Sequence, residues 1–101
     1  MSAFWIARAR VHNPEGLKEY GARVAEAAKR YPNRVLSRAG RYKVMEGPDN
    51  FDRIVLLQFP SMEAAETYYR SNEYQAAALI RRAAVHETEI VIVEGVDFPS
   101  Q

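Results

Sequence analysis

Cysteine is absent from the 101 residues, which excludes disulfides, thiolate catalysis and any cysteine-based zinc site. Histidine is scarce, with only His12 and His86, and two isolated imidazoles without a close carboxylate motif make a poor ligand set, so no metal is expected. Neither sign of charge dominates: 14 Lys and Arg stand against 13 Asp and Glu. No long basic or basic-aromatic run tracks a phosphate backbone, and nucleic acid is not an expected partner. No apolar stretch approaches the roughly 18 residues of a membrane span, and Met1-Ser2-Ala3-Phe4-Trp5-Ile6 lacks the basic flank and long apolar core of a secretory signal. The expectation is a cytoplasmic protein with no membrane partner.

What is present points to a sheet that needs covering twice. In Arg53-Ile54-Val55-Leu56-Leu57-Gln58-Phe59, Val55, Leu57 and Phe59 point one way while Ile54 and Leu56 point the other. The last strand-like run repeats the pattern, Ile90 and Ile92 alternating with Val91 and Val93. A chain of this length supplies enough helix for one face, so a second copy is expected on the other.

The order of elements follows from caps and periodicity. Residues 4–11 read as a strand with Trp5, Ala7, Ala9 and Val11 on one face and Phe4, Ile6, Arg8, Arg10 and His12 on the parity of the other. Asn13-Pro14 opens a helix, predicted to about Tyr31, with Leu17, Tyr20, Val24, Ala28 and Tyr31 as its buried stripe. A long bent strand is predicted over residues 34–46, with a bulge near Arg38-Ala39-Gly40-Arg41, followed by a turn at Gly47-Pro48-Asp49-Asn50 and a strand over 53–59. Ser61 caps a helix that breaks near Ser71-Asn72 and resumes to about Arg82, and residues 88–94 form the last strand. The prediction is one α+β domain over residues 1–96, ferredoxin-like βαββαβ with a four-stranded antiparallel sheet, and a flexible tail over 97–101. Two such sheets packed face to face make a dimeric α+β barrel with an inter-sheet cavity for a small ligand.

The pattern Trp5-Ile6, Tyr20, Arg38-x-Gly40-Arg41, Glu46-Gly47, Arg53, Phe59-Pro60-Ser61, Ala64-Ala65, Tyr68, Ser71-x-x-Tyr74, Arg81 and Glu94-Gly95 resembles the bacterial family known as domain of unknown function 1330. The Phe-Pro-Ser junction followed by Ser-x-x-Tyr is its more specific part. The resemblance implies the dimeric α+β barrel superfamily, whose relatives include cofactor-free monooxygenases of aromatic substrates, haem-degrading enzymes, and isomerases or lyases of small ring acids. It implies a fold and a homodimer and supplies no reaction.

Four arginines are the candidate ligand-binding residues. Arg8 and Arg10 either project into the inter-sheet cavity or lie on a wet rim paired with glutamates. Arg38 and Arg53, on the paired hairpin strands and within the family resemblance, either bind a ligand or serve the hairpin through Glu46, Asp52 and the bulge carbonyls. His12, at the end of the first strand, is the candidate general base, whereas His86 lies in a loop with Glu87 and Glu89 and reads as solvated. Tyr68, Tyr69 and Tyr74 read first as core, with a hydroxyl reaching the cavity as the other reading. Trp5 invites comparison with the cofactor-free oxygenases, but the accompanying asparagine and histidine pattern is missing. Haem needs a histidine from a cavity-facing helix, and the predicted helices contain none, so no cofactor is assigned. The leading expectation is a homodimer that binds or transforms a small organic anion; the alternatives are a non-catalytic dimerisation module and a cofactor-free monooxygenase-like enzyme.

Overall fold

Asn13-Pro14 starts the first helix by the chemistry its sequence offers. In a computed structural model, which describes residues 1–96, the Asn13 side chain accepts a hydrogen bond from the Gly16 amide at 3.3 Å and Pro14 sits in the first turn, where no amide is needed. The elements are β1 (Ala3–Val11), α1 (Pro14–Ala27), β2 (Arg34–Arg38), β3 (Arg53–Phe59), α2 (Met62–Arg70), α3 (Asn72–Ala84) and β4 (Val85–Glu94). The sheet order is β2-β3-β1-β4 with every neighbour antiparallel, the α+β ferredoxin-like arrangement. The tail assigned to residues 97–101 lies outside the described residues.

Strand parity decides the two faces. Ala3, Trp5 and Ala9 of β1 are buried under the helices, in register with Phe59, Leu57 and Arg53 of β3. The Trp5 indole meets Tyr74 edge-on at 5.2 Å between ring centroids and Tyr68 at 5.4 Å, and Phe59, Tyr68 and Tyr74 are fully buried around it. Burial contributes roughly 1.5–3 kcal/mol for each such side chain, and aromatic contact geometry adds about 0.5–1.5 kcal/mol per pair. The core is therefore anchored on this aromatic cluster.

Among the described residues no helix covers the opposite face. Ile6 aligns with Leu56 and Val91, and Phe4 with Gln58 and Val93; Val91 is 54% and Val93 45% exposed. The chain is a slab of 42 × 36 × 17 Å, one sheet and one helical layer thick, with an apolar patch on its open side.

Several boundaries differ from the sequence reading, each for a local reason. β2 ends at Arg38 rather than near Glu46, because Ala39 turns into the left-handed region at φ 51°, a conformation that disfavours strand continuation. The register shift falls at Leu36, between Val35 and Ser37, not at Gly40. Tyr42 then ties the following segment back, its hydroxyl donating to the Phe51 carbonyl at 2.9 Å. α1 stops at Ala27, where Lys29 and Arg30 amides bond carbonyls three residues back and tighten the final turn. α3 runs to Ala84 and passes straight into β4. At the predicted break, Ser71 ends one helix and starts the next: its hydroxyl donates to the Tyr68 carbonyl at 2.6 Å and accepts from the Tyr74 amide at 3.1 Å.

Candidate functional site

β1 turns two small side chains, Ala7 and Ala9, toward the helices, where a larger residue would fill the space above the sheet. α1 does not fill it either, since α1 packs against α3 and barely meets the strands. Gly16 permits that lean: a Cβ there would sit 3.0 Å from the Ala84 Cβ. What remains is a cavity of about 220 Å³ between α1 and the sheet, on the helix side of the sheet and within one chain. An apolar cavity of about 150 Å³ already holds benzene, so this one accommodates a ring or short chain with a polar substituent.

Its surfaces come from distinct elements. Leu17, Tyr20, Gly21 and Val24 of α1 form the roof, and Ala7, Ala9, Val55 and Leu57 the floor. Arg53, Ala9 and Thr88 align across β3, β1 and β4, and Arg38, Val55, Ala7 and Ile90 align one row further in. Arg81 and Tyr74 of α3, with Tyr68 of α2, close the deep side.

The polar groups on the deep side are linked. The Arg81 guanidinium donates to the Tyr74 hydroxyl, which lies 2.9 Å from the Tyr20 hydroxyl. Arginine only donates, so the simplest satisfied arrangement passes the Tyr74 proton on to Tyr20. Burial pushes the Tyr68 and Tyr74 phenols far above their ordinary value, with Tyr20 adding to the effect and Arg81 opposing it at Tyr74. Both are neutral donors at any physiological pH.

Three buried polar atoms here have no hydrogen-bond partner among the described residues: the Tyr68 hydroxyl, Arg81 Nε and Thr88 Oγ1. Each such atom costs about 1–3 kcal/mol. Arg81 is the most telling, because it is only 7% exposed and has no ion-pair partner among the described residues. A buried cation without an anion is an unfavourable state that an anionic ligand relieves. Among the described residues the cavity lining contains no carboxylate and no imidazole, so its walls offer donors and no base.

The residues singled out from the sequence divide between two places. Arg38 and Arg53 line the cavity, and neither side chain has a hydrogen-bond or ion-pair partner among the described residues. Arg8 borders it, but its guanidinium is engaged by Glu89 and lies 4.5 Å from the Phe51 ring centroid. Arg10 faces Glu87 at 3.9 Å and is half exposed. Both are thus paired with glutamates of β4. His12 meets His86 in a tilted contact with 4.6 Å between ring centroids, away from the cavity lining. Sequence reasoning left out Arg81 and the Tyr20–Tyr74 link. The signal for Arg81 was available, because it falls seven residues after Tyr74 on the buried face that carries Ala77, Ala78 and Ala84, a charge set into an apolar stripe.

Residues 2–96 match the family described as Domain of unknown function (DUF1330). No curated protein matches the chain. Among solved structures, a protein of unknown function from Rhodopseudomonas palustris is similar at 18% identity and TM-score 0.74, over 95% of this chain and 83% of that one. A dimeric ferredoxin-like protein of unknown function from Jannaschia sp. CCS1 is 15% identical, with TM-score 0.70 over 94% of this chain and all of that one. SnoaB, a cofactor-independent oxygenase from Streptomyces nogalater, is 14% identical, with TM-score 0.66 over 99% and 98% of the two chains. At these identities the likeness is one of fold.

Proposed function

The chain belongs to the DUF1330 family, and from that membership and the cavity beneath α1 we propose that it is a homodimer in which each subunit binds a small organic anion. The observation that carries this reading is Arg81, buried, donor-only and without a carboxylate partner among the described residues. An anion accepts from its guanidinium and from the Tyr20 and Tyr68 hydroxyls, while Trp5, Val24, Val55 and Ile90 receive an apolar body. Arg38 and Arg53 are the outer cationic contacts. The open face with Ile6, Leu56, Val91 and Val93 is the self-association surface, and Arg8 and Arg10 with their glutamates form its polar margin. Several neighbours in fold are dimeric ferredoxin-like proteins, which supports that assembly.

The test is thermal denaturation with a panel of small aliphatic and aromatic carboxylates, against wild type and Arg81→Gln. A ligand held only by the native state stabilises it by about 2.7 kcal/mol at a hundredfold excess over Kd. A saturable rise in Tm that Arg81→Gln removes supports the reading; a flat response across the panel rejects it.

A second reading, oxidation of an aromatic ligand without a cofactor, draws on the aromatic walls from Trp5, Tyr68 and Tyr74 and on the likeness to SnoaB. It predicts oxygen uptake with phenolic or quinol substrates, and uptake no faster than in buffer excludes it.

A further inference from the structure

The cavity carries cations on two separated sides. Arg81 stands on the α3 side, bordering the cavity with Thr88 of β4, while Arg38 and Arg53 stand on β2 and β3. Because Arg53, Ala9 and Thr88 align across three neighbouring strands, the backbones of Arg53 and Thr88 are two strand spacings apart, about 10 Å. The surface between them is apolar, formed by Ala7, Ala9 and Val55.

No lining carboxylate among the described residues balances these three guanidiniums. A single negative charge at Arg81 leaves Arg38 and Arg53 to water, and a compact dianion gathers its charge at one end only. We propose that the ligand is a short dicarboxylate with an apolar middle. One carboxylate accepts from Arg81 and the neighbouring free Thr88 hydroxyl; the other accepts from Arg38 and Arg53; the carbon chain or ring lies over the two alanines. This assignment rests on the reading of the cavity as an anion site and adds the second head group.

Calorimetric titration at low salt with adipate, hexanoate, succinate and inorganic phosphate tests it. Adipate is expected to bind at least about tenfold more tightly than hexanoate, the increment of one further charge-assisted contact, with succinate and phosphate weaker than adipate. In the Arg38→Gln/Arg53→Gln double variant, adipate falls to the affinity of hexanoate. Equal binding of adipate and hexanoate by wild type overturns the two-headed ligand and leaves the anion site standing. An adipate advantage that survives in a folded double variant overturns it as well. Failure of every anion to bind removes the anion site and this assignment together. The wild-type comparison stands even where the double variant does not fold.

Discussion

The hydroxyls of Tyr20 on α1 and Tyr74 on α3 lie 2.9 Å apart, so the helix that roofs the cavity is tied to the helix that supplies its buried arginine. Tyr20→Phe removes that tie and should cost about 1 kcal/mol, read as a fall in Tm of roughly 4–8 °C per kcal/mol. Tyr74→Phe also strips the Arg81 guanidinium of its acceptor and should lose more. Equal losses in scanning calorimetry would show that Arg81 does not depend on Tyr74.

Arg81→Met exchanges an unpaired buried cation for an apolar chain of similar reach. Without ligand the variant should be as stable as wild type or more stable by about 1–2 kcal/mol, while carboxylate-induced stabilisation disappears. A site held at the expense of stability is a familiar trade. Urea denaturation with and without ligand measures both halves, and a strongly destabilised apo variant would assign Arg81 to the framework instead.

Gly21 lies in the roof, and a Cβ built there meets nothing within 4 Å. Gly21→Ala should therefore stabilise α1 by about 0.5–1 kcal/mol, the usual helix-interior difference, with binding retained. Gly21→Leu should keep the fold and weaken binding by intruding on the cavity. Unchanged affinity in the leucine variant would mean that ligands enter elsewhere.

Arg30, just past α1, meets Glu73 in the first turn of α3 at 3.0 Å. The Glu73 carboxyl is held below its ordinary value, chiefly by its own backbone N–H, then by the Tyr31 hydroxyl and Arg30, with burial opposing. A depressed acid stabilises the fold fully above the ordinary carboxylate range and loses that contribution as pH falls through and below it. Glu73→Gln should thus narrow the difference between neutral and acid stability in pH-dependent urea unfolding. Parallel pH profiles for wild type and variant would rule out this contribution.

Val91 is 54% exposed in the middle of the open face, opposite Ile6. Val91→Asp should convert a dimer to a monomer in sedimentation equilibrium without changing the circular dichroism spectrum, since the side chain points away from the helices. A wild-type chain that sediments as a monomer at micromolar concentration would reject the proposed assembly outright.

The fold was legible because its signals are local. The caps at Asn13, Ser61 and Ser71 and the alternation along β1, β3 and β4 each concern neighbours in the chain. The strand over 34–46 was overextended because Ala39, a residue with no special preference for positive φ, makes the turn that Gly40 was expected to make. Of the residues at the cavity, the sequence pointed to Arg8, Arg38 and Arg53 but not to Arg81, and Arg10 faces Glu87 outside the lining. Which side of the sheet holds the hollow depends on how α1 docks against α3, a contact between segments more than forty residues apart, and no window of sequence encodes it.

Ser71 does not itself line the cavity, yet its two bonds fix where Tyr68 and Tyr74 leave their helices, with 4.8 Å between their ring centroids. It acts as a joint that meters the gap between two aromatic jaws. Ligand size can accordingly be retuned, by selection or by design, from a position that no ligand reaches.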